Sequence, residues 1–235
     1  MEQPRRQPAG GRRRRQTHAG VVLSADVYIA AAVNLIENRG AGVLSTRTLA
    51  RAVGADPSAL YRYFGGIDDL LRAVADRMIG IALDNWTPDD DWLTSLATLA
   101  RAIYQVYVRD FPQTGYTVAS RTTGLENETR AVEITLGLLR DGGFDDNSAA
   151  VWFRSLTDFL LGQAMLESAY GTLPSEVQAA DSDRWREFPA AASPLHPVMI
   201  EPSFEASMTL ILRGLAASPR DTSTSPGRPI RSTGP

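Results

Sequence analysis

Residues 58 to 63 place hydroxyl groups, a guanidinium and a small side chain within two turns of a helix. They are Ser58, Ala59, Tyr61, Arg62 and Tyr63. Hydroxyl and guanidinium groups donate to phosphate oxygens and to guanine, and small side chains let a helix end approach base edges. The set therefore fits the major groove of DNA. The alternative is an ordinary surface helix in which the two tyrosines are half-buried packing residues.

The stretch from Ser45 to Phe64 predicts two short helices across a tight turn, which would present those side chains. Ser45 or Thr46 can cap the first helix, and Gly54 ends it. Its apolar side consists of Leu49, Ala52 and Val53.

The second helix begins with an acid and a proline. Asp56 can accept its free N–H groups, and Pro57 stands at the first helical position, where a missing N–H costs nothing. Leu60 and Phe64 lie four residues apart and form the inward side, so the five residues above face outward.

Helical patterns flank this pair. Ser24 can cap a preceding helix that ends at Gly40 and has the inward residues Tyr28, Ala32, Leu35 and Ile36. A following helix from about Ile67 to Asn85 has Asp68 and Asp69 in its first turn, where carboxylates complement the helix dipole. Its apolar residues are Leu70, Leu71, Val74, Met78, Ile81 and Ala82.

The segment from Leu23 to Leu71 resembles the amino-terminal DNA-binding domain of the TetR/AcrR family of bacterial transcriptional regulators. The agreeing parts are the helix LSADVYIAAAVNLIENRG, the helix-turn-helix STRTLARAVGADPSALYRYF and the motif FGGIDDLL. The resemblance implies an all-α fold, in which a three-helix helix-turn-helix domain precedes a helical ligand-binding and dimerisation domain.

The resemblance also implies roles for single residues. Thr46, Tyr61 and Tyr63 correspond to phosphate contacts, and Arg47 to a position that reaches a base or phosphate. Ser58, Ala59 and Arg62 correspond to positions that read bases. Many members carry a lysine at the start of the fourth helix, but this chain has Ile67 there, which puts one backbone contact per subunit in question.

Charge is distributed unevenly along the 235 residues. Residues 1–65 hold ten arginines against four acids, whereas the remainder holds fourteen arginines against twenty-three acids. A basic head on an acidic body is expected of a DNA-binding domain joined to a domain that avoids DNA. Arg12 to Arg15 either follow the DNA backbone or minor groove, or belong to a solvated tail.

The pattern predicts four parts in the chain. Residues 1–20 form a disordered arginine-rich arm, 21–66 the helix-turn-helix domain, 67–217 the effector-binding and dimerisation domain, and 218–235 a disordered tail. Helices are predicted at about 91–110, 126–140, 145–170 and 203–216, with short elements near 114–122 and 177–185. In the family the long helix and the final helix form a four-helix dimer interface, and Gly162 would permit close approach there.

Aromatic residues in three of these helices predict an effector pocket, because in the family these helices surround one. They are Tyr104, Tyr107, Tyr116, Trp152, Phe153 and Phe159, with Gln163 as a polar anchor. The alternative is that they are plain core. The tetracycline-repressor branch, which this part resembles only loosely, uses a histidine to help hold a magnesium–drug chelate. Here the nearest candidate, His196, lies between prolines, so tetracycline is not expected.

No set of residues for catalysis or for a cofactor or metal is evident. The chain has no cysteine, which excludes disulfides and thiolate chemistry, and neither His18 nor His196 lies on a helix with a ligand partner. No glycine-rich phosphate loop follows a strand pattern. No apolar run is long enough to span a bilayer.

These observations favour a cytoplasmic homodimer that represses transcription from a pseudo-palindromic double-stranded operator and is released by a small hydrophobic or aromatic effector. A DNA-binding regulator, repressor or activator, without an effector is the alternative, and a helical enzyme is a third and disfavoured one.

Overall fold

Helices make up the regular structure of the chain in a computed structural model, which describes residues 22–170 and 200–218. They are α1 Ala25–Arg39, α2 Thr46–Val53, α3 Pro57–Arg62, α4 Ile67–Asp84, α5 Trp92–Tyr104, α6 Pro112–Val118, α7 Glu126–Asp141, α8 Asp146–Tyr170 and α9 Ile200–Ala217. A short 3-10 turn, Ala41–Val43, lies between α1 and α2, and a π-helical segment, Gln105–Asp110, continues α5. The predicted all-α class is confirmed. The arginine-rich arm, the predicted 177–185 helix, residues 219–235 of the tail and both histidines lie outside the described residues.

The predicted ends of α1 and α2 are confirmed by their caps. Ser24 accepts a hydrogen bond from the Val27 N–H at 3.3 Å. Ser45, not Thr46, caps α2, in a reciprocal capping box with Thr48. Gly54 ends α2 with a φ of 63°, a left-handed conformation that glycine adopts without a steric penalty.

The element α3 is a 3-10 helix, whereas the sequence predicts an α-helix that reaches Phe64. Pro57 has no N–H, and the Asp56 carboxylate accepts a hydrogen bond from the Ser58 N–H at 2.8 Å. The first turn therefore closes between the Ala59 N–H and the Asp56 carbonyl, three residues apart, at 2.9 Å. Leu60 and Phe64 are nevertheless buried as predicted.

Two alanines were predicted on the wrong side. Ala52, expected on the apolar side of α2, is exposed, and the buried alanine of that helix is Ala50. Ala59, expected to face outward, is only 6% exposed, because α3 packs on α2 and a methyl group is small enough to be enclosed there.

A single hydrophobic core joins the helix-turn-helix to the helices that follow. It includes Tyr28, Ile36, Leu49, Leu60, Leu70, Val74, Met78, Val106, Tyr107 and Val118. Since these residues come from α1 to α4, the π-helical segment and α6, the core does not stop at residue 66. A change of packing around α6 can therefore reach the helix-turn-helix through continuous contact.

The last helix closes the other end of the bundle. Phe204 of α9 stacks on Tyr104 of α5 with ring centroids 3.8 Å apart. Arg101 donates to both carboxylate oxygens of Glu205, at 2.9 and 2.8 Å, and these hydrogen bonds lower the pKa of Glu205. Both contacts fix α9 against α5.

Candidate nucleic-acid interface and adjoining cavity

The α2–α3 pair presents one exposed polar surface, which we call the head surface: Thr46, Arg47, Ser58, Tyr61 and Arg62. Tyr61 is 61% exposed, and Arg47, Ser58 and Arg62 are exposed as well, while Thr46 is half-buried. Within the described part of the chain, neither arginine forms an ion pair at this surface. The surface therefore offers cations and hydroxyl groups of the kind that bind phosphate oxygens.

Three of the predicted DNA-contacting residues, Ser58, Ala59 and Tyr63, differ from the rest. Ser58 is exposed, but its hydroxyl donates to the Asp56 carboxylate at 2.6 Å. Ala59 is buried, so its methyl group does not project toward a base. Tyr63 is 38% exposed, but its hydroxyl donates to the Leu23 carbonyl at 2.7 Å and its ring lies 5.7 Å from that of Tyr28. The Tyr63 hydroxyl thus already has an acceptor within the fold, whereas no hydrogen bond of the Tyr61 hydroxyl is seen among the described residues.

A row of three charged residues on α4 holds the loop that precedes α7. Asp68, Arg72 and Asp76 recur every four residues and so lie on one side of α4. Asp68 pairs with Arg121 at 3.1 Å, and Arg72 donates to the Thr123 carbonyl at 2.7 Å. We call these three residues the α4 row.

Asp76 is the buried member of the row, at 8% exposure. Its carboxylate accepts hydrogen bonds from the Glu128 N–H at 3.0 Å and from the Asn127 side chain at 2.9 Å. It therefore caps the amino terminus of α7 from a different helix, where the helix dipole also favours a negative charge.

Replacing Asp76 by alanine should lower the free energy of unfolding by about 2–4 kcal/mol, because several buried donors lose their acceptor. Asp84→Ala is the matched control, since Asp84 lies on the same helix but is exposed, and it should change stability by less than about 0.5 kcal/mol. Urea denaturation of both variants at one protein concentration measures the difference. Equal stabilities would show that the α7 cap contributes nothing.

A second carboxylate makes a similar contact from α1. Glu37 accepts a hydrogen bond from the Thr114 N–H at 2.6 Å, in the first turn of α6. The helix-turn-helix and α4 therefore both hold the segment from α6 to the start of α7.

A cavity of about 120 Å³ lies between α4, α5, α7 and α8. This is roughly ten times the space that one water molecule needs, so the cavity is more than a packing defect. Most of its wall is apolar, for example Ile79, Leu99, Val132 and Leu160. The polar side chains in the wall are Tyr107, Arg121, Glu128, Thr135 and Thr157.

The structure brings two of the predicted pocket residues, Tyr107 and Phe153, to this cavity. Burial raises the pKa of the Tyr107 hydroxyl well above its ordinary value, and the nearby carboxylates of Glu128 and Asp76 act in the same direction. The hydroxyl therefore stays protonated and donates to the Ala75 carbonyl of α4 at 3.3 Å.

The other predicted pocket residues lie elsewhere. Tyr104 and Phe159 both stack on Phe204, Trp152 packs in the cluster that includes Leu215, and Tyr116 is 49% exposed. Gln163 is half-buried on α8 and does not line the cavity. Arg121 and Glu128, which do line it, were missed, because charged residues at a loop and a helix start are more often solvated.

Two further results concern only the described residues. No group of three or more histidine, aspartate or glutamate side chains there could hold a metal ion. None of the helices in those ranges combines the length and the apolar character that crossing a bilayer requires.

Comparisons with known proteins agree with this geometry. The family model for bacterial regulatory proteins of the tetR family matches residues 29–74, and that for the tetracyclin repressor-like carboxyl-terminal domain matches residues 86–218. The second match is more extensive than the loose resemblance expected from the sequence. The class A tetracycline repressor protein from transposon 1721 of Escherichia coli is 27% identical over 210 residues, which cover 83% of this chain and 91% of that protein.

Solved structures share the fold. A possible TetR family transcriptional regulator from Streptomyces coelicolor A3(2) is similar with a TM-score of 0.72 and 29% identity, over 83% of this chain and 99% of that one. ActR of Streptomyces coelicolor, solved in complex with actinorhodin, has a TM-score of 0.66 and 22% identity over 83% of this chain and 99% of its own. The chain therefore belongs to the TetR family of bacterial regulators and is a DNA-binding transcriptional regulator, not an enzyme.

Proposed function

We propose that the protein is a repressor that binds a pseudo-palindromic operator as a homodimer and is released by a small apolar or aromatic effector bound in the cavity. The observation that carries this proposal is the position of α4. Only residues 63–66 separate its first turn from α3, and its α4 row is bound to the loop whose Arg121 lines the cavity.

Release requires that the effector prefer one conformation of the protein, because a ligand with equal affinity for two conformations shifts neither. A ligand that moves the loop before α7 also moves the partners of Asp68, Arg72 and Asp76. The separation of the two α3 elements in a dimer would then change. The ActR complex with actinorhodin supports a ligand role for this fold.

Homodimerisation is supported by exposed apolar side chains on the last two helices. Val151 and Leu166 on α8 are 65% and 53% exposed, and Leu210 on α9 is 68% exposed. A Cβ added to Gly162 would meet no atom within 4 Å, so this part of α8 is open to close approach by another helix. Two half-sites also supply the contacts that a single short recognition element lacks.

Selection of bound sequences from a random DNA pool by the full-length protein tests the proposed mode of binding. A near-palindrome with half-sites about one DNA turn apart is expected. A single asymmetric half-site would contradict the dimeric mode. A thermal-shift ligand screen then separates the proposal from a regulator without effector, because a ligand of the folded state raises the melting temperature.

Tyr61→Phe and Tyr63→Phe should have different effects, because of these two hydroxyls only that of Tyr63 has a hydrogen-bond partner among the described residues. Tyr61→Phe is expected to weaken operator binding by about 5- to 10-fold through loss of one phosphate hydrogen bond, with stability unchanged. Tyr63→Phe should lower the free energy of unfolding by about 1 kcal/mol and weaken binding less.

Fluorescence anisotropy on the selected operator and urea denaturation measure the two quantities. Base preference should stay the same in both variants, since a phosphate contact carries no sequence information. A changed consensus for Tyr61→Phe would refute its assignment to phosphate.

A further inference from the structure

The polar side chains of the cavity wall differ in whether they still have a hydrogen-bond donor that a ligand could use. The Tyr107 hydroxyl donates to the Ala75 carbonyl. The Thr135 and Thr157 hydroxyls donate to the Ala131 and Phe153 carbonyls of their own helices, at 2.8 and 2.9 Å. The donors of these three side chains are therefore already used.

Glu128 is occupied as well. One oxygen of its carboxylate accepts from the Thr123 N–H at 2.8 Å, from the Thr123 hydroxyl at 2.9 Å and from the Gly124 N–H. Glu128 thus holds the loop before α7 in place, and recruiting it to a ligand would disturb that loop.

Arg121 is the exception. Its Nε is buried and has no hydrogen-bond partner among the described residues. Its Nη1 donates to Asp68 at 3.1 Å, but the Asp68 side chain is 88% exposed, so water screens that ion pair strongly. The guanidinium of this cavity-lining residue therefore keeps a spare hydrogen-bond donor.

We propose that Arg121 selects the effector, and that the effector is an apolar molecule ending in a hydrogen-bond acceptor, bound most tightly when that acceptor is a carboxylate. The apolar part fits against the aliphatic wall, and an acceptor oxygen supplies the partner that the Arg121 Nε lacks. A carboxylate adds charge and can engage the planar guanidinium through two oxygens. This inference rests on the proposed function, because it uses the same cavity.

A matched series of three probes tests the inference on the full-length protein by calorimetry. The probes are 2-naphthoate, 2-acetylnaphthalene and 2-methylnaphthalene, which share one ring system and carry a carboxylate, a carbonyl or no acceptor. The wild type should bind 2-naphthoate at least 10-fold more tightly than 2-methylnaphthalene, with the ketone between them. Arg121→Met should reduce that preference to less than about 3-fold while 2-methylnaphthalene binds as before.

Asp68→Asn is the matched control. It removes the negative charge of the exposed partner of Arg121 without altering the cavity wall, so the preference for 2-naphthoate should persist. Circular dichroism checks that each variant is folded, and equal binding of the three probes by the wild type would overturn the inference even if Arg121→Met does not fold.

The outcomes are distinguishable. Equal binding of the three probes by the wild type, or an unchanged preference in a folded Arg121→Met variant, would overturn this inference alone. If the wild type bound none of them, the cavity would not be an effector site for such molecules, and the effector part of the proposed function would fall with the inference.

Discussion

Leu210→Glu is expected to abolish dimerisation and to lower the affinity for a palindromic operator by at least 100-fold. Leu210 is 68% exposed on α9, so a carboxylate there leaves the protomer's own packing intact. In a dimer the same carboxylate would be buried against an apolar helix, which costs several kcal/mol unless it is paired. A dimer that engages two half-sites binds about 10²- to 10⁴-fold more tightly than a single subunit on one half-site. A monomer loses this gain in affinity.

Sedimentation velocity and operator binding measure the two effects, and circular dichroism shows whether the monomer stays folded. Thr129→Glu is the control, because it introduces the same side chain at an exposed position of α7. It should leave the protein a dimer by sedimentation and the operator affinity within about twofold of the wild type, as most exposed substitutions do. A Leu210→Glu protein that remained a dimer would place the interface away from α9.

The helix-turn-helix could be predicted in detail because its signals are local. Ser24, Ser45, Gly54 and Asp56 act on backbone groups within a few residues, so their types alone indicate where α1 to α3 begin and where α2 ends. The errors at Ala52 and Ala59 arise because an alanine carries little apolar signal and is placed by whichever neighbour packs on it.

The cavity residues could not be predicted to the same extent. Tyr104 and Tyr107 lie three residues apart and would share one side of a regular α-helix. The backbone changes from α to π after Tyr104, which alters the direction of the side chains that follow. Tyr104 therefore meets Phe204 of α9, while Tyr107 lies on the cavity wall.

The role of the α4 row could not be predicted from the sequence either, but for a different reason. Charges at positions 68, 72 and 76 are the pattern of a solvated helix face, and only the tertiary structure shows that Asp76 is buried as a cap for α7. The sequence holds no signal for this, because the donors that Asp76 satisfies lie about fifty residues away.

The π-helical segment also explains why residue 115 is a glycine. A Cβ built on Gly115 would lie 1.9 Å from the Tyr107 carbonyl oxygen and 2.8 Å from the carbonyl carbon. Both are backbone atoms, which cannot rotate away as the end of a side chain can. The close approach of α6 to this segment is therefore possible only without a side chain at position 115.

Gly115→Ala should lower the free energy of unfolding by about 3 kcal/mol or more, at the upper end of the overpacking range. Gly137→Ala is the matched control within α7, where an added Cβ meets no atom within 4 Å. It should raise stability by about 0.8–1 kcal/mol, because alanine is the better helix former. Urea denaturation at a fixed protein concentration measures both, since the stability of the proposed dimer would depend on concentration.

Gly115→Ala should also weaken operator binding, and this effect is separate from the loss of stability. The segment that Gly115 contacts carries Tyr107, whose hydroxyl reaches the Ala75 carbonyl on α4, and α6 itself is held by Glu37 of α1. If α6 moves away from the Tyr107 carbonyl, the contact of Tyr107 with α4 and the contact of α6 with α1 are both disturbed. These two contacts connect α6 to the helix-turn-helix. A Gly115→Ala protein that was destabilised yet bound the operator with wild-type affinity, at a temperature where it is folded, would show that α6 does not communicate with the head surface.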